Sequence, residues 1–304
     1  MTDAQAPAAA RPAGLRRAAG VGFVLLLGMC WGFNWPSMKL VLADFDPMFF
    51  RGTSGVVAAV AMMATVWLAG TQLHVPRAEI RPLVGVSLLN VFAFSLLVVL
   101  ALRFYQASAG VIIAYTMPIW ASLIGGLVLR ERLGWRPLLA LALGVSGLAL
   151  LLLPRVLADG GLPAGSLFVL GAALFWAVGI VWQKRTRWTI PVTVLTAWQL
   201  TIGNLPFLPL AIWAATESGL PELHWPSALA WCYATFIGTI GGHYFFYRIV
   251  AVYPVSIASI ASLAVPVFGV TGSAVLLGDR ITFAVAAALA LVLTAVSLVL
   301  FERR

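Results

Sequence analysis

Charge is what this sequence has least of. Only 10% of its 304 residues are Asp, Glu, Lys or Arg, while 62% are apolar; a soluble domain carries roughly 25% charged residues. A soluble fold of this length could not cover so much apolar surface with so few charges. Long polar stretches are missing too. Ten membrane spans of about 20 residues would use about 200 positions and leave about 100 for connections and tails, so no second, water-soluble domain fits. Cysteine is nearly absent. Cys30 and Cys232 each fall inside an apolar run, which excludes a disulfide framework and a thiolate metal cluster. No Asp or Glu lies in the interior of an apolar run, whereas a pump that exchanges cations for protons needs such an anion at membrane depth. Neither H-E-x-x-H nor G-x-S-x-G occurs, and the three His are far apart. A membrane enzyme, which needs convergent acid, base and nucleophile, is therefore a distant second reading, and no cofactor or metal is expected.

What is present is an all-α polytopic membrane pattern. Apolar runs bounded by charges, Pro or Gly predict ten transmembrane helices, at 19–40, 47–70, 81–102, 106–129, 135–153, 163–183, 190–214, 226–247, 253–277 and 281–301. The first is preceded by Arg11, Arg16 and Arg17, but it runs on through Trp31, Trp35 and Pro36 without an A-x-A-like cleavage site. It reads as a retained span rather than a signal peptide. The formal charge of +9 reflects basic residues scattered between the runs, not a nucleic-acid surface. With a cytoplasmic N-terminus, 14 Lys and Arg fall inside and five (Lys39, Arg51, Arg103, Arg155 and Arg280) outside. That bias predicts both termini cytoplasmic in a bacterial inner membrane.

The chain also repeats itself. Trp31 and Lys39 match Trp176 and Lys184 at an offset of 145. Tyr105 and Ser108 match Tyr253 and Ser256 at an offset of 148, and Pro118 and Pro266 are each followed thirteen residues later by Glu131-Arg132 and Asp279-Arg280. The predicted organisation is a tail at 1–18, a five-helix repeat at 19–153, an external linker at 154–162 and a second five-helix repeat at 163–304. Five is odd, so the repeats must be inverted, an arrangement that places a transport site near the midplane. Trp31-Gly32-x-Asn34-Trp35 with Lys39, and the Pro-x12-acid-Arg pattern closing each half, resemble the drug/metabolite transporter superfamily, EamA type. The resemblance covers essentially the whole chain. It implies ten helices in two inverted halves and export of small metabolites, amino acids prominent among them. This sequence departs from the pattern at Arg130, at Asp279 in place of Glu, and in a sixth span without the Asn.

Polar side chains in apolar helices mark candidate inner faces, because lipid offers them no partners. On the first span Trp31, Asn34 and Trp35 share a face, and Pro36 cannot donate to the Gly32 carbonyl. That face is either a substrate-facing helix break or a kink with Gly28 and Gly32 as a helix contact. Thr235, Thr239, His243 and Tyr247 form a stripe on the eighth span. His243 is either a substrate or proton contact or a neutral imidazole bonded to a neighbouring helix. Tyr115 with Pro118, and Ser259 and Ser262 with Pro266, place hydroxyls beside interrupted backbone; the alternative for the serines is close packing. Trp176 and Gln183 mark the sixth span's inner face, Asn90 and Phe94 the third's, and Gln199 the seventh's. Trp67, Trp135, Trp188, Trp213 and Trp225 lie near span ends, as an interfacial belt would. Asp44 and Asp46 share only the spacing of a metal-binding D-x-D and read as water-facing loop acids.

These features predict a carrier for a small neutral or zwitterionic metabolite, an amino acid first, exported by alternating access. The aromatic residues favour a large apolar or aromatic body. A broad metabolite or drug efflux permease is the alternative, and a phosphate ester is disfavoured because no basic cluster lies deep in the spans. The expected partners are that small molecule and the lipid bilayer, with no nucleic acid; the chain is expected to be a monomer or weak homodimer.

Overall fold

The computed structural model describes residues 22, 25–129, 135–159, 163–246 and 255–300. Among them every regular element is helical. The order is α1 (25–32), α2 (Asn34–Val41), α3 (Pro47–Leu68), α4 (Arg77–Ser87), a π-helical stretch π1 (Leu88–Ala93), α5 (Phe94–Phe104), α6 (Ala107–Ala114), α7 (Met117–Leu129), α8 (Trp135–Asp159) and α9 (Ala164–Arg185). Then follow α10 (Val192–Asn204), α11 (Phe207–Ser218), α12 (Trp225–Cys232), a second π stretch π2 (Tyr233–Gly241), α13 (242–246), α14 (Val255–Leu277) and α15 (Phe283–Leu300). The elements among the described residues are grouped as ten helical segments: α1–α2, α3, α4–π1–α5, α6–α7, α8, α9, α10–α11, α12–π2–α13, α14 and α15. Among the described residues, four helices are long and apolar enough to cross a bilayer: Pro47–Leu68, Arg77–Phe104, Ala107–Val128 and Ala164–Arg185. A helix satisfies its own backbone, which lipid cannot do.

Local chemistry sets several ends. Asp46 caps α3, its carboxylate accepting from the Met48 amide at 2.7 Å, with Pro47 in the first turn. The other end of α3 closes at Gly70, whose φ of 70° no larger residue adopts cheaply; Thr71 N–H reaches the Val66 carbonyl and Gly70 N–H that of Trp67. Lys39 donates to the Leu102 and Tyr105 carbonyls at the end of α5, where a cation suits the helix dipole.

Several contacts between segments survive exchanging the first five for the last five. The second segment contacts the seventh, the fourth the ninth and the fifth the tenth; the first contacts the eighth, and the third the sixth. Small residues allow these approaches. Gly28 and Gly32 lie against Ala264 and Phe268, and Gly52 against Phe207 and Ala211. Leu127, Leu153, Ile212 and Leu229 face outward among many other exposed apolar side chains, as a lipid-facing surface requires. Trp67, Trp135 and Trp225 are exposed at helix ends, and Trp213 is exposed in the middle of α11. Trp188 instead is partly buried and donates to the Gln183 carbonyl at 3.0 Å.

Candidate functional site

Both π stretches border one cavity. In a π turn the backbone bonds i to i+5, and such turns concentrate at functional sites. Thr239 follows the same spacing, its hydroxyl donating to the Ala234 carbonyl five residues back at 2.9 Å. Against π2 lies α2, where the Asn34 side chain rests on Gly238 so closely that a Cβ there would collide with it. Against π1 lies α9, whose Gly179 receives Asn90 in the same way, and Asn204 rests on Gly55 of α3. All three amide oxygens are buried without a hydrogen-bond partner.

These contacts surround a hollow that, counted together with the open solvent at its mouth, takes up about 790 Å³. Trp31, Trp35, Phe94, Tyr115 and Trp176 line it with aromatic surface. Asn34, Asn90, Asn204, Ser95, Thr239 and His243 add polar groups, and Arg51 adds a cation. Trp176 packs on Phe94 with ring centroids 4.8 Å apart, and Trp31 meets His243 edge-on at 5.7 Å. His243 Nδ1 lies 2.6 Å from the Thr239 carbonyl. A carbonyl oxygen only accepts, so Nδ1 carries the proton.

Helix interruptions bring several of these groups in. The first segment is interrupted at Phe33, three residues before Pro36. The fourth is interrupted at Tyr115–Thr116, just before Pro118, where the Thr116 amide turns back to the Ile113 carbonyl. The seventh is interrupted at Leu205–Pro206, directly after Asn204.

Of the residues singled out in the sequence, Trp31, Asn34, Trp35, Asn90, Phe94, Tyr115, Trp176 and His243 line this cavity. Gln183 does not. It accepts a hydrogen bond from Gln199 at 3.2 Å, because seven residues beyond Trp176 lies two turns, about 10 Å, further along the helix. Pro266 does not interrupt its helix: α14 runs from Val255 to Leu277 through it. A single missing N–H is tolerated there, with Gly28 and Gly32 of the first segment close against the neighbouring Ala264 and Phe268. The side chains of Ser256, Ser259 and Ser262, together with Glu131, Arg132 and Tyr247, lie outside the described residues. Thr235 is buried, and its hydroxyl has no partner.

Sequence reasoning missed Arg51, Ser95 and Asn204. Arg51 falls one turn into α3, where its spacing resembles that of an outer-loop cation, yet it is only 9% exposed. The Asn204-x-Pro206 pair was the available signal for the seventh segment, matching Asn34-x-Pro36 in the first.

Known proteins point the same way. The profile of the EamA-like transporter family matches residues 18–153 and 163–301. An uncharacterised transporter of Bacillus subtilis, YvbV, is 28% identical over 280 residues, covering 90% of this chain and 88% of its own. A probable amino-acid metabolite efflux pump of Salmonella typhimurium is 27% identical over 270 residues, covering 86% of this chain and 88% of its own. A crystal structure of a protein matches the fold with a TM-score of 0.61 at 17% identity, covering 90% of this chain and 95% of the other.

Proposed function

Because the chain belongs to the EamA-like transporter family, we propose that it is a secondary carrier exporting a small neutral or zwitterionic metabolite, first of all an amino acid, across a bacterial inner membrane. One observation carries this reading: amides, hydroxyls, an imidazole and a guanidinium gather with aromatic rings around one hollow, fed by segments of both halves. In lipid such groups are tolerated only where they face the bundle or a wet cavity. The Salmonella relative, named as a probable amino-acid metabolite efflux pump, favours an amino acid. Trp31, Trp35, Phe94 and Trp176 offer flat apolar surface to a large or aromatic side chain.

In this reading the ten segments cross the membrane as two inverted repeats, with both termini cytoplasmic. Contacts that recur when the halves are exchanged, such as the second segment with the seventh and the first with the eighth as the sixth with the third, support it, because alternating access is a rocking of one repeat against the other around a fixed site. The aromatic lining also suits a broader set of metabolites or drugs, which is the second reading. Proteoliposomes loaded with a panel of labelled amino acids test both. Efflux above that of empty liposomes for at least one amino acid is expected; flux of unrelated metabolites alone would favour the broad permease, and no flux at all would refute the carrier.

A further inference from the structure

We infer that Arg51 is the anion-binding group of this cavity, and that the carried molecule is recognised by a carboxylate with its amino group optional. The inference rests on the carrier reading and extends its substrates from zwitterions to simple carboxylates. Arg51 is buried, with its guanidinium 5.7 Å from the ring centres of both Phe50 and Phe207. Ring faces attract a cation but leave its N–H groups unbonded. One hydrogen bond is made, from Nη2 to the Ser95 hydroxyl at 2.5 Å, and Nε has no partner. Among the described residues no ion pair includes Arg51, and those lining the cavity include no Asp or Glu. Residues 247–263, whose side chains are not described, contain none either. A buried charge is held only when paired, and here no described residue supplies a counter-ion. The two parallel donors of a guanidinium match the two oxygens of a carboxylate. A phosphate dianion would call for further cations, and Arg51 is the one Lys or Arg among the described lining residues. Among the described lining residues an ammonium finds no carboxylate, only neutral amide, hydroxyl and imidazole groups and ring faces.

The test uses the purified full chain and three probes with one ring: 3-phenylpropionate, L-phenylalanine and phenethylamine. Saturable thermal stabilisation is expected from both carboxylates and not from the amine. Arg51→Gln is expected to weaken both carboxylates by about tenfold to a hundredfold, as loss of a charge-assisted hydrogen bond does. Arg51→Lys keeps the charge without the fork and is expected to fall between. Because Arg51→Gln could lose its fold, the comparison of acid with amine in the unmodified protein stands alone. Stabilisation by the amine equal to that by 3-phenylpropionate overturns the inference, as does no stabilisation by either acid, or wild-type affinity in folded Arg51→Gln. Stabilisation by phenylalanine alone overturns the optional amino group. Flux through proteoliposomes is read separately: acid-selective binding without flux refutes the carrier and keeps Arg51, whereas flux without acid selectivity does the reverse.

Discussion

Asp44 accepts a hydrogen bond from the hydroxyl of Ser227, 183 positions along the chain, and the contact recurs with its partners exchanged. In the second instance Glu79 accepts from the Thr189 hydroxyl and, at 3.0 Å, from the Thr189 amide. Thr189 lies 145 positions after Asp44, and Ser227 lies 148 after Glu79, the offsets that relate the two halves. Acid and hydroxyl have changed places, yet each pair still ties the third or eighth segment to a loop of the other half. The amides behave alike. Asn34 rests on Gly238, and at the matching offsets Asn90 rests on Gly179. A hydrogen bond or a close amide–glycine contact does not depend on which partner supplies which group. Drift can therefore reverse the chemistry while the packing holds, and the Asn missing from the sixth segment is supplied by the third.

The Asp44 clasp carries a pH signature. The Ser227 hydroxyl, helped by His224 at 3.1 Å, holds the Asp44 carboxyl below the ordinary carboxylate range. A depressed carboxyl stabilises the fold above its unfolded pKa of about 3.9, and that stability is lost as pH falls through the folded value. Ser227→Ala is thus expected to lower the melting temperature at neutral pH. Its gap to the unmodified protein is expected to close as the solution is acidified below about pH 4. A gap constant down to pH 3 would contradict this account.

The amide–glycine contacts give a second expectation. Gly238→Ala places a Cβ against Asn34, and such overpacking costs about 1–3 kcal/mol. Asn34→Ala removes the obstacle, so the double variant is expected to melt above Gly238→Ala alone. Gly179→Ala with Asn90→Ala is expected to repeat the pattern. If Gly238→Ala costs as much with Asn34 absent as present, the amide is not what the glycine accommodates.

Much of the cavity was legible because polar groups on apolar helices have few places to go. Trp31, Asn34, Asn90, Trp176 and His243 come from four different segments, and each was visible as an exception to its surroundings. Arg51 was not. A cation one turn inside a helix end has the same spacing whether it snorkels to water or turns inward, and only the packing of Phe50 and Phe207 decides. The π stretches were hidden too, since a change of bonding from i+4 to i+5 has no fixed residue signature in Leu88–Ala93 or Tyr233–Gly241. Gln183 misled for a related reason: a shared face says nothing about depth along the axis. Pro206 showed the opposite failing, a break overlooked because a long apolar run surrounds it.

Asn34 also permits a prediction about transport. Its amide borders the cavity, so Asn34→Ala removes a polar group that a substrate can use. Transport is expected to fall roughly twofold to tenfold, the worth of one neutral hydrogen bond. The folded yield, read by size-exclusion chromatography, is expected to change little, because the buried oxygen has no protein partner to lose. Unchanged transport at equal yield would make Asn34 a packing residue only.

Energy coupling turns on His243. Its Nδ1 proton is committed to the Thr239 carbonyl, and the described cavity wall holds no carboxylate to receive a proton from it. Protonating the ring would also place a second positive charge in a hollow that already contains Arg51. A proton relay needs an acceptor at each step, and no Asp or Glu is found among the described residues lining the hollow. The carrier is therefore expected to work as a facilitator whose flux follows the substrate gradient. Counterflow in proteoliposomes, with membrane potential clamped and no pH difference, is expected to proceed at full rate. Imposing a pH difference is expected to produce no accumulation, in the unmodified protein and in His243→Gln alike, while His243→Gln changes the half-saturating substrate concentration. Accumulation driven by the pH difference in the unmodified protein and abolished in His243→Gln would instead make this imidazole the proton site.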